Sequence, residues 1–123
     1  MEFDELSNKV ISLAIEVHKN LGPGLLESTY KQCLAYELAK ADIKFIMEAE
    51  LPVQYKDIKL SCGYKIDLFI EDTLIVELKS VEKMNPIYDA QILTYMKLSK
   101  VKVGLLLNFN NKLLKDGIKR FVL

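Results

Sequence analysis

Several things are scarce in this sequence, and each scarcity narrows the reading. Cysteine occurs only at Cys33 and Cys62, far apart and without the spacing of a metal site. Two buried free thiols in a reducing cytoplasm is the simple reading, with one disulfide as the lesser alternative. The single histidine, His18, falls near the end of a helical stretch, where capping or packing explains it better than ligation. No apolar run approaches the roughly 20 residues of a membrane span. The acidic start, Met1 to Glu5, lacks a secretory pattern, so a cytoplasmic protein is expected. Linkers, repeats and low-complexity tracts are missing too. Net charge is also absent, with 17 basic residues against 17 acidic ones. A protein that grips duplex nucleic acid unaided usually carries a basic excess. The charge is uneven, however. Residues 97–123 hold six lysines and Arg120 against Asp116 alone, either a phosphate-facing surface or a solvated lysine-rich face.

What is present suits one globular domain, 1–123, with a single core: half of the residues are hydrophobic. The chain is organised around residues 64–80. Ile66, Leu68 and Ile70 alternate along one arm, and Leu74, Val76 and Leu78 along the next, the period of paired strands. Asp67, Glu77 and Lys79 interrupt this apolar pattern, and buried charge is costly unless paired or metal-bound. A turn centred on Asp72 sets Asp67 opposite Glu77, puts Lys79 on their face and sends all six aliphatics to the other. A turn between Glu71 and Asp72 would instead mix charge with core. The first register therefore builds a cluster of two carboxylates and one ammonium. Close carboxylates repel, raising one pKa, and a divalent cation relieves the repulsion. Two carboxylates and a backbone carbonyl suit Mg²⁺, which polarises phosphoryl oxygens and acidifies water. The plain alternative is an ion-pair ladder in which Lys79 neutralises one of the acids.

Around the hairpin, residues 4–20 read as a helix with Asp4 as N-cap. Leu21-Gly22-Pro23-Gly24 breaks it, and a second helix covers about 25–41. Glu27 in its first turn is favoured by the helix dipole. Residues 43–60 are strand-rich, with Pro52 marking an edge or bulge. Asn85 and Pro86 start a third helix, running to about Ser99, whose inward residues by spacing are Ile87, Ala90, Leu93, Thr94 and Leu98. Gln91 and Tyr95 share one of its faces. The run Val101–Phe109 reads as a strand buried on both sides, making a β-α-β unit with Leu74–Lys79, and Gly117–Leu123 as an edge strand. The fold class is α/β: a mixed central sheet flanked by helices, in the order α-α-β-β-β-α-β-β.

Asp67 followed by Glu77-Leu78-Lys79 resembles the D…(D/E)-x-K pattern of the PD-(D/E)XK nuclease superfamily, and Gly24-Leu25-Leu26-Glu27-Ser28-Thr29-Tyr30 resembles the motif of its GxxExxY family. The similarity runs from His18 through Gln91 and Asn108-Phe109 to Arg120. It implies a restriction-endonuclease-like core and hydrolysis of nucleic acid, DNA ahead of RNA. It also implies a Mg²⁺ or Mn²⁺ ion held by Asp67, Glu77, the Leu78 carbonyl and Glu27, and an attacking water held by Lys79. Gln91 and Tyr95 resemble the Q-x-x-x-Y helix of RecB-type nucleases, which implies that Gln91 positions the site and that Tyr95 lies near a phosphate. Tyr30, beside Glu27, is expected at the substrate or in the core. So small a chain implies a homodimer or a partner protein to complete the groove. A non-catalytic module that keeps the fold and binds nucleic acid or protein is the alternative.

Overall fold

The computed structural model describes residues 4–123. Asp4 starts helix α1 (Glu5–Leu21) as expected, its carboxylate accepting the Ser7 N–H at 3.0 Å. Gly22 and Gly24 then turn the chain through positive φ, 71° and 98°, which side chains resist. Helix α2 (Glu27–Lys40) follows. Tyr30 fixes this turn. Its hydroxyl donates to the Gly22 carbonyl at 2.6 Å and accepts the Leu25 N–H at 3.1 Å, while its ring stacks on Phe109. Tyr30 is wholly buried. The expectation that it touches substrate therefore gives way to a structural role, because ring and hydroxyl are both committed internally. His18 is likewise a packing residue, with Nε2 3.1 Å and 2.9 Å from the carbonyls of Phe109 and Asn111.

The strands are β1 (Phe45–Glu50), β2 (Val53–Tyr55), β3 (Ile58–Leu60), β4 (Lys65–Ile70), β5 (Leu74–Lys79), β6 (Val103–Asn108) and β7 (Ile118–Val122). Five make the main sheet in the order β1-β4-β5-β6-β7, with β5 and β6 parallel and the other neighbours antiparallel. This is the expected order, three strands before helix α3 (Pro86–Ser99) and two after. The addition is β2 and β3, which pair only with each other in a separate ribbon. Asn85 caps α3 through the Ile87 N–H at 2.9 Å, with Pro86 in the first turn.

The sheet is covered on both faces. Leu68, Ile70, Leu74, Val76, Leu78, Leu105 and Leu107 pack with Val10, Ala14 and Val17 of α1 and Tyr30, Leu34 and Leu38 of α2. Ile66, Ile75 and Leu106 pack with Ile92, Tyr95 and Met96 of α3. The parallel β5–β6 pair lies at the centre, which explains its unbroken apolar run. Gly104 lets α3 approach: a Cβ there would lie 2.7 Å from Met96 Sδ.

Three sequence expectations change. The buried residues of α3 are Ile92, Tyr95 and Met96; of the expected set Leu93 and Leu98 pack half-buried against that cluster, whereas Ile87, Ala90 and Thr94 are exposed. The helix has apolar residues on more than one side, and spacing alone sets the inward face partly toward solvent. Cys62 is exposed rather than buried. Ile66 leaves the other five hairpin aliphatics for the opposite face of the sheet. The switch occurs at Asp67, across from Glu48, whose φ of 55° lies in the left-handed region and turns β1 at the same level.

Candidate active site

The β4–β5 hairpin turns through Glu71 and Asp72, at φ 52° and 57°, and Thr73 N–H donates to the Ile70 carbonyl. The Asp72-centred register follows: Ile70 pairs with Leu74, Phe69 with Ile75 and Leu68 with Val76. Beyond Leu68 the backbone ladder stops, and two carboxylates take over its hydrogen bonds. Glu77 Oε2 accepts the Asp67 N–H at 2.7 Å, and Asp67 Oδ2 accepts the Leu78 N–H at 2.9 Å. The splayed strands thus lock the two acids across the gap, Glu77 to the Asp67 main chain and Asp67 to the main chain of Leu78. In an extended strand a residue's N–H and C=O point to the same edge. The Leu78 carbonyl accordingly faces this gap, while the Lys79 carbonyl, on the other edge, accepts Phe109 N–H from the β6 side.

Glu77 is buried at 5 % exposure. Burial and then the charge of Asp67 push its carboxyl from 4.5 up to about 8, with Lys79 and Lys31 opposing. Lys31, from the second turn of α2, donates to Asp67 Oδ1 at 3.1 Å and lies 3.6 Å from Glu48. Burial alone would lower the Lys31 pKa, but the two carboxylates raise it. Lys79 Nζ sits over the Tyr88 ring, 4.5 Å from its centroid. Among the described residues Lys79 forms no ion pair with either acid, so the neutralising lysine of the ladder alternative is Lys31, not Lys79. On the other side of the dyad, Gln91 Nε2 donates to the Tyr95 hydroxyl at 3.3 Å. The Tyr95 phenol is pushed above 10.0 by burial and then by the negative charge of Glu77. Ser80 Oγ donates to the Leu25 carbonyl, and the buried Asn108 side chain clamps both polar groups of the Val81 main chain. The strand end that carries Lys79 is thereby held to the α1–α2 turn and to β6.

A family model described as the PD-(D/E)XK nuclease superfamily matches residues 4–121. The chain belongs to the PD-(D/E)XK nuclease superfamily. The mixed sheet between helices fits the restriction-endonuclease-like core of that superfamily. No curated protein and no solved structure matches the chain. Membership points to nuclease chemistry, with nucleic acid as the substrate class. No helix among the described residues is long and apolar enough to cross a membrane.

In PD-(D/E)XK terms, the structure brings Asp67, Glu77 and the Leu78 main chain together, with Lys79 on the same strand end and the Gln91–Tyr95 pair alongside. It does not gather Glu27 with them. Glu27 opens α2, and among the described residues no three acidic, histidine or cysteine side chains form a metal-holding group. The α2 side chain that reaches the dyad is Lys31, one turn further along the same helical face. Sequence reasoning missed it, although its spacing from Glu27 marks that face. Glu48 was missed as well, because its meeting with Lys31 depends on the β1 register. The donor chemistry of the dyad nevertheless suits a divalent cation. Two converging carboxylates, one of them unwilling to ionise beside the other, and a carbonyl on the open strand edge are hard oxygen donors in need of positive charge.

Proposed function

We propose that this protein is a divalent-metal-dependent nuclease of the GxxExxY type that hydrolyses phosphodiester bonds, in DNA ahead of RNA, in the cytoplasm. The observation that carries the reading is the Asp67–Glu77 dyad, each carboxylate held by a main-chain N–H of the facing strand at a splayed strand end. Asp67, Glu77 and the Leu78 carbonyl would hold Mg²⁺ or Mn²⁺. Such an ion supplies Lewis acidity toward a phosphoryl oxygen and toward water. Lys79, steadied by Tyr88, would orient the attacking water and balance charge growing on the phosphate. Gln91 and Tyr95 would border the reacting group from α3. Zero net charge argues that a second copy or a partner protein completes the grip on the substrate.

The test is a cleavage panel of single- and double-stranded DNA, RNA and flapped duplex with Mg²⁺ or Mn²⁺. Wild type, Glu77→Gln and Lys79→Ala would be prepared identically. Cleavage lost in both variants supports the reading. Cleavage that survives in them, or none on any substrate, refutes autonomous nuclease activity.

One observation favours a second reading, a non-catalytic binding module: the Lys31 ammonium already satisfies Asp67 without a metal. Thermal melting discriminates. A true metal site raises the melting temperature in millimolar Mn²⁺ by mass action, and Asp67→Asn removes the rise. A module without metal shows none.

A further inference from the structure

Beside the dyad, α3 and the segment ahead of β4 enclose a cleft of about 420 Å³. Tyr64 and Tyr95 form one side, their ring centroids 6.4 Å apart and tilted by 59°. Gln91 supplies an amide, and Val53, Ile87 and Leu98 supply apolar wall. Every lining side chain is uncharged. Tyr64 and Ile87 are 48 % and 61 % exposed, so the cleft presents both to solvent. Tyr95 lines the cleft and lies near enough to the dyad for the charges of Glu77 and Asp67 to act on its phenol.

We propose that this cleft receives one unpaired nucleobase of the substrate strand, so that the enzyme acts on single-stranded or frayed nucleic acid rather than on intact duplex. The inference rests on the nuclease reading and names its substrate class. An uncharged cleft holds no cation to balance a phosphate, whereas aromatic faces stack any base. The Gln91 amide, with donor and acceptor together, matches a base edge and is only loosely engaged by Tyr95 at 3.3 Å. A volume of this size suits a compact planar ligand. A base inside a duplex is stacked on both sides and cannot enter, so the occupant must come from a loop, a flap or an end. Stacking also supplies affinity without a basic surface, in keeping with a chain of zero net charge.

The test uses a short single-stranded DNA carrying one 2-aminopurine, titrated with the full chain in EDTA, beside the same base within a duplex. Because Tyr64 is half-exposed, Tyr64→Ala and Tyr64→Phe keep the fold, which circular dichroism checks. The expected result is a fluorescence change with the single strand only, affinity about tenfold weaker or worse in Tyr64→Ala, and recovery in Tyr64→Phe. The Mn²⁺ cleavage panel should show single strand cut ahead of duplex, with the preference lost in Tyr64→Ala. Equal binding of single strand and duplex, or indifference to Tyr64→Ala, overturns the proposal. So does a wild-type dimer that Tyr64→Ala dissolves in sedimentation, which would make the cleft an interface between copies. Cleavage that ignores Tyr64 defeats the base pocket and leaves the nuclease standing. Tyr64-dependent binding without any cleavage does the reverse.

Discussion

Glu77→Gln should make the metal-free protein more stable, and increasingly so as pH rises. The folded chain holds the Glu77 carboxyl at about 8 against an ordinary 4.5. Between those values the native state keeps a proton that the unfolded chain has released, so stability must fall with rising pH. The contribution is complete below about 4.5 and is lost as pH climbs through about 8. At about 1.4 kcal/mol per pH unit, the loss from pH 5.5 to 8 is on the order of 3 kcal/mol, an upper figure because strand relaxation and water relieve part of it. Glutamine has nearly the same shape, still accepts the Asp67 N–H through its oxygen, and has no charge to bury. Urea melts of wild type and variant in EDTA at pH 5.5, 7 and 9 give the difference in unfolding free energy. Taking that difference cancels the other titrating groups. It should favour the variant by about 1 kcal/mol at pH 5.5 and by about 2 kcal/mol or more beyond that at pH 9. A pH-independent difference would mean that Glu77 ionises freely, and the account of a buried, mutually repelling dyad would be wrong.

The other predictions concern neighbouring residues. Lys31→Met should strengthen Mn²⁺ binding roughly tenfold in calorimetry, because an ammonium 3.1 Å from Asp67 Oδ1 competes with a second cation; unchanged or weaker binding refutes that competition. Leu78→Ala should cost roughly 2 to 5 kcal/mol in urea melts as a truncation of a fully buried residue, and a loss under about 1 kcal/mol would contradict its place in the core. Gly104→Ala should destabilise by about 1 to 3 kcal/mol, since its methyl group would run into Met96 Sδ and Ile92 Cδ1; a neutral thermal melt would show that α3 yields easily.

The hairpin was legible because its pattern admits one sensible register: only the Asp72-centred turn sets Asp67 opposite Glu77, and Leu68–Val76 pairing follows. The start of α3 was legible because Asn85 and Pro86 are local signals that act within one turn. Two things were hidden. The face of α3 that meets the sheet depends on Gly104, a long-range partner that helical spacing does not reveal. The displacement of Ile66 depends on a left-handed Glu48 in a neighbouring strand, a conformation with no signal in a glutamate. The same long-range pairing hid the Lys31–Glu48 contact, whereas Asp67 and Glu77 announced themselves as charges in an apolar alternation. Tyr30 illustrates the opposite error. Its motif suggested chemistry, yet its hydroxyl is the clasp of the α1–α2 turn.

The two acids also finish the sheet, since each replaces a missing rung of the β4–β5 ladder. A relative without any hydrolytic activity would therefore still be selected to keep an oxygen acceptor at both positions, as aspartate, glutamate, asparagine or glutamine. Retention of these side chains across relatives is consequently a poor census of live enzymes. For the same reason, alanine at either position removes a rung as well as a proposed ligand, and its silence in an assay reports on architecture and chemistry at once. Only the amides separate the two.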